Sequence, residues 1–203
     1  MLVVLLTLVL GVPVARADGD PASDYLLSQQ TFIPPDVNVP PAYATQLNAA
    51  VREAKARGYT VRVALIGTRY DMGAVTILFQ KPKQYARFLG QELSFVYKGR
   101  LLVVMPNGLA VSLNGKPQPA EQMVVDRIAA PGKDGAALAS TATKAVIQLA
   151  ANAGDVVPVP PLAASGRTSG SNTNRDRIVI AVAALAAAAL AAAVVLIRRR
   201  RAT

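Results

Sequence analysis

The chain has 203 residues, 52% of them hydrophobic, with a formal charge of +10 and no Cys, His or Trp. Without imidazole or thiol it cannot build a Ser-His-Asp triad, a thiol nucleophile or a Cys/His zinc site, and its apolar content excludes a disordered chain or a disulfide scaffold. The chemistry left to it belongs to carboxylates, hydroxyls, Lys and Arg.

Most of the charge lies at the ends. From Asp18 to Ala163 there are 14 Lys/Arg against 11 Asp/Glu, a net of +3, and Arg198 to Arg201 alone add four more. The pI near 10.3 is therefore no footprint of a nucleic-acid-binding domain, and no nucleic-acid partner is expected.

In chain order, Leu2 to Leu10 form an apolar run broken only by Thr7, followed by Gly11, Pro13 and the triplet Ala15-Arg16-Ala17. This is the layout of a secretory signal peptide over residues 1–17, with an A-x-A cleavage site. A run of nine residues, eight of them apolar, is too short to span a bilayer that needs about 20. An exported domain follows over 18–153, entered through the extended Pro34-Pro35 and Pro40-Pro41 pairs.

Inside that domain, Tyr43, Leu47, Ala50, Val51 and Ala54 fall on one helical stripe, with Arg52, Glu53, Lys55 and Arg57 opposite and Gly58 as the stop. Tyr59 to Ile66 alternates through Val61, Val63 and Leu65 and predicts a strand, ending at Gly67. The loop Thr68-Arg69-Tyr70-Asp71 comes next, then a short apolar stretch from Ala74 to Phe79. Pro82 opens a second helix whose stripe is Tyr85, Phe88, Leu89 and Leu93. Leu101 to Met105 is a continuous apolar run, as a strand buried on both faces requires. Pro106-Asn107-Gly108 turns it back into Leu109 to Leu113, closed by Asn114-Gly115. A last helix runs from about Gly135 to Asn152, with Asp134 as N-cap and Leu138, Ala142, Ala145, Val146 and Leu149 inward.

Helices alternating with strands predict a small three-layer α/β domain. Its central sheet is mixed and mostly parallel, with helices on both faces, a right-handed crossover from Ile66 to Leu101 and an antiparallel hairpin edge.

Residues 154–177 are rich in Pro, Ser, Gly and Asn and predict a linker. Ile178 to Ile197 is a run of 20 residues without a polar side chain; as a helix it is about 30 Å long, the thickness of the hydrocarbon core. It predicts one C-terminal transmembrane helix. Arg198 to Arg201 outnumber Arg175 and Arg177, so the tail 198–203 is expected inside and the N-terminus outside, a single-pass protein of the cell membrane with its domain on the extracytoplasmic side.

The element order, with GYTVRVALIGT after an amphipathic helix, the helix KQYARFLGQEL and the strand-turn-strand YKGRLLVVMPNGLAVSLNG, resembles the TPM domain. That domain occurs in thylakoid-lumen and bacterial exported proteins, often tethered by one membrane helix. The DMGAV and KPKQYARFLG stretches are similar to uncharacterised single-pass membrane proteins of actinobacteria. The likeness covers about residues 25 to 150 and departs from the family after the hairpin, where KPQPAEQM stands in place of a Gly-rich segment. The resemblance implies a part in assembly, repair or regulation of membrane complexes, with phosphatase activity proposed for some members.

The position with a physical claim to function is Arg69-Tyr70-Asp71, because ligands of open α/β sheets bind outside the carboxyl ends of strands. Arg69 can hold an anion. Asp71 either binds a hard cation or a reacting proton, or it caps the segment after it. Asp36 and Asn38 have the spacing of an oxygen-ligand loop but fall far short of a calcium set. Lys81, Lys83 and Arg87 make a basic patch near Phe79 and Tyr85, suited to a solvated face or to anionic lipid or cell-wall polymer. No P-loop, dinucleotide fingerprint or nucleophile elbow occurs, so no cofactor, metal or catalytic residue is assigned. Two functions compete. One is a non-catalytic binding or accessory module with a protein partner in the membrane or envelope. The other is a metal-dependent phosphatase or other hydrolase using Asp36, Asp71 and Glu92.

Overall fold

The computed structural model describes Gly19 to Leu162. The signal peptide (1–17), the later part of the linker, the span (178–197) and the basic tail (198–203) lie outside the described residues. Among the described residues no helix is long and apolar enough to cross a membrane.

The elements are α1 (Pro21–Leu26), β1 (Thr31–Phe32), α2 (Pro41–Ala56), β2 (Val61–Leu65), α3 (Pro82–Glu92), β3 (Arg100–Met105), β4 (Gly108–Leu113), β5 (Lys116–Pro117), α4 (Pro119–Val125) and α5 (Gly135–Asn152). Every element expected from periodicity is present. Four that periodicity did not indicate are α1, β1, β5 and α4. The apolar stretch Ala74 to Phe79 falls largely within a 3-10 segment, Arg69–Leu78, kinked at Gly73, whose φ of 50° favours glycine.

The five strands form one mixed sheet in the order β1-β2-β3-β4-β5. β1 and β3 flank β2 in parallel, with Val63 opposite both Thr31 and Leu102. β4 returns antiparallel to β3, and β5 antiparallel to β4. Four strands thus share one direction, while the ladders divide evenly between parallel and antiparallel.

Alternation along β2 and β3 sends side chains to two cores, which is why both strands read as nearly continuous apolar runs. Val61, Val63, Leu65, Leu102 and Val104 pack with Leu47, Ala50 and Val51 of α2 and with Leu138, Ala142, Val146 and Leu149 of α5. Ala64, Ile66, Leu101, Val103 and Met105 pack on the other face with Ala22 and Leu26 of α1, Met72, and Tyr85 and Leu89 of α3. The result is three layers. α2 connects β1 to β2 on one face and α3 connects β2 to β3 on the other, while both connections step the same way across the sheet. The two are therefore of opposite hand, and only one obeys the right-handed preference expected of the Ile66 to Leu101 crossover.

The segment read as linker begins by packing on the domain. Asp155 N–H donates to Ala150 C=O at 2.9 Å, Val157 is buried in the core of α2 and α5, and Gln46 Nε2 donates to Pro160 C=O at 2.7 Å. Apolar side chains among its prolines give this half something to bury, which the Ser/Gly half lacks.

Candidate functional site

Chains leaving the carboxyl ends of β1 and β2 diverge to opposite faces, the arrangement that opens a crevice in α/β sheets. Here that crevice is closed. Gly67 follows β2 and lies so near Val37 that a Cβ on it would come within 2.6 Å of the Val37 Cγ2. The open space at this end is a cleft of about 390 Å³ lined by Thr68, Arg69, Tyr70, Phe79, Gln80 and Lys133.

Of the three residues singled out from sequence, Arg69 and Tyr70 line the cleft and Asp71 does not. Asp71 is buried, and its Oδ2 accepts from the backbone N–H of Gly67 at 2.9 Å and of Thr68 at 2.7 Å. It is the cap. By accepting from both donors through one oxygen it fixes the turn out of β2 and turns its carboxylate back toward the backbone there. Tyr70 points the other way, with 80% of its surface exposed. Arg69 is exposed and makes no ion pair among the described residues.

Lys133 is the member that sequence reasoning missed. It precedes Asp134, whose Oδ1 accepts from Ala137 N–H at 2.7 Å and starts α5. The helix start was legible, but nothing along the chain says that it lies beside the turn leaving β2. Of the lining residues, Gln80 is tied to the turn between β3 and β4, where Asn107 Nδ2 donates to its C=O at 2.7 Å. Gln80 itself has a positive φ of 62°.

The carboxylates of the hydrolase reading do not assemble. Asp36 is exposed in the turn after β1. Glu92 ends the eleven-residue α3, about 16 Å along the helix from its start near the cleft. No three acidic side chains come within reach of one ion among the described residues. Lys83 of the basic patch pairs with Asp126 at 3.2 Å.

A second buried acid lies under α1. Asp20 caps that helix through Ala22 N–H at 3.1 Å, and the Tyr85 hydroxyl, 2.7 and 2.8 Å from its two oxygens, donates to it. Burial pushes its pKa up to about 6; the Tyr85 and Ala22 donors oppose that, and Glu92 and Asp24 add to it. The same burial and the Asp20 charge raise the pKa of the Tyr85 hydroxyl. With its oxygens so engaged, Asp20 is placed to position α1, not to meet a substrate.

Fold and cleft together define a three-layer α/β domain that presents, at the carboxyl end of its central parallel strand, an exposed aromatic ring and two cations without an ion-pair partner among the described residues. Such a site can hold an anionic group, and no Asp or Glu is among the described residues that line it. The chain matches no protein-family model, no curated protein and no solved structure.

Proposed function

We propose that the protein is a membrane-anchored, extracytoplasmic binding or accessory module, similar to TPM domains, that serves a protein complex of the membrane or cell envelope without chemistry of its own. The observation that carries this reading is Asp71. The acid in the turn out of β2 is buried and bonded back to Gly67 and Thr68, while Arg69, Tyr70 and Lys133 line the open cleft. An acidic surface on that partner would meet Arg69 and Lys133, and the Tyr70 ring supplies apolar contact at small entropic cost. The anchor and orientation rest on the apolar run 178–197 and the Arg asymmetry.

The test is a photo-crosslinking amino acid at Tyr70 in cells, with mass spectrometry of what it captures. A single protein captured by the parent and lost with Arg69→Ala, in a variant that melts like the parent, supports the reading. Cys introduced at Ser169 should react with an impermeant maleimide and Cys at Thr203 should not; the reverse pattern refutes the orientation. Turnover of an aryl phosphate with magnesium, calcium or manganese would favour the hydrolase instead.

A further inference from the structure

The two edges of the sheet are finished differently. At β4 the outward backbone is taken up twice, first by β5 over Ser112 and Leu113 and then by the side chain of Gln122 in α4. Its Oε1 accepts from Val111 N–H and its Nε2 donates to Leu109 C=O, both at 3.1 Å. An amide side chain thus stands where the next strand would be, one way of blunting an edge.

At the opposite edge no described residue pairs with the outer side of β1. The inner side is engaged, since Val63 N–H donates to Gln30 C=O at 2.9 Å and Thr31 lies opposite Val63. By the alternation of a parallel ladder, Gln30 and Phe32 direct their backbone groups to β2, and Thr31 and Ile33 direct theirs outward. A cavity of about 520 Å³ runs along that outer side. α2 forms one wall through Asn48 and Arg52, and the end of α1 with the turn after it forms the other through Tyr25 and Gln29.

The walls are prepared for a ligand of particular chemistry. Thr31 Oγ1 donates to Asn48 Oδ1 at 2.5 Å, which leaves the Asn48 amide nitrogen free to donate. The Tyr25 ring is half exposed and braced edge-on against Phe32, with centroids 5.8 Å apart. Arg52 is exposed and has no carboxylate partner among the described residues, and no Asp or Glu lines the cavity. An open strand edge as floor, an uncompensated cation on one wall and an aromatic ring on the other fit an extended chain carrying a negative charge.

We propose that the outer edge of β1 receives an extended acidic segment of a partner protein as an added strand. The outward backbone groups of Thr31 and Ile33 supply hydrogen bonds common to any peptide, and Arg52 selects a carboxylate. A polysaccharide could use the amides and the ring but would not match the outward backbone groups.

The probe is a set of peptides selected by display from a random library on the full chain in detergent micelles. Enriched peptides should carry Asp or Glu among alternating β-branched or aromatic residues. Their binding should slow hydrogen exchange over Gln29 to Ile33. Arg52→Glu should weaken them by about tenfold or more, the cost of a lost charge-assisted bond, while Arg52→Lys retains most of the affinity. Arg52 is exposed, so both variants should melt like the parent. Selected peptides indifferent to Arg52→Glu would overturn the proposal, as would a library that yields no binder. Protection of the same residues by acidic oligosaccharides alone would make this a glycan site. Protection without any added probe would mean that the chain's own residues occupy the edge, which also overturns the proposal.

Discussion

Replacing Asp20 by Asn tests whether a buried charge under α1 opposes folding at neutral pH. In the folded chain Asp20 is 5% exposed and burial raises the pKa of its carboxyl from 3.8 to about 6. The folded state therefore binds the proton more tightly than the unfolded state, so stability is favoured at low pH. Below about pH 4 both states are protonated and the group costs nothing; as pH rises through about 6 the folded state must ionise a buried acid and loses stability. A shift of roughly two units at about 1.4 kcal/mol each makes the loss about 3 kcal/mol. Asn keeps the cap to Ala22 and an acceptor for Tyr85 but never ionises. In urea unfolding followed by circular dichroism, the stability of Asp20→Asn relative to the parent should rise by about 3 kcal/mol between about pH 4 and pH 7. Comparing the two proteins at each pH cancels the titration of the remaining carboxylates. A difference that stays flat with pH would refute the buried-charge argument. One that falls with rising pH would mean that the carboxylate is stabilised where it lies.

Other substitutions test the core, the covered edge and the docked start of the linker. Leu102, fully buried in β3, should not tolerate Asp, because an unpaired buried charge costs several kcal/mol against a total of about 5–15; a melt like the parent's would mean the strand is misplaced. Gln122→Leu removes the partners of Val111 N–H and Leu109 C=O and should cost about 2 kcal/mol or more in urea; a loss under about 0.5 kcal/mol would show water serving equally well there. Val157→Ser should cost about 1–2 kcal/mol, since that side chain is buried against α2 and α5; no loss would return the whole segment to the linker.

The parts of this fold legible along the chain are those whose signal repeats over several residues. The stripes of α2, α3 and α5 and the apolar runs of β2 and β3 recur with the period of the backbone itself, so neighbours in sequence report them. β1 and β5 have two residues each, too few for any period, and are strands only because β2 and β4 lie beside them. α1 and α4, with six and seven residues, open on prolines that read equally well as loop. The candidate site divides the same way. That the turn at Arg69 to Asp71 stands at a strand end follows from the sequence. The Thr68-x-x-Asp71 spacing is itself that of a capping box, so the inward turn of Asp71 is a local matter; that Lys133 arrives beside Arg69, and that Gln122 closes one edge while Arg52 flanks the open one, were decided by tertiary packing. Periodicity records which face of an element is apolar, but which faces meet depends on burying both cores of one sheet at once, and no local stretch of sequence carries that condition.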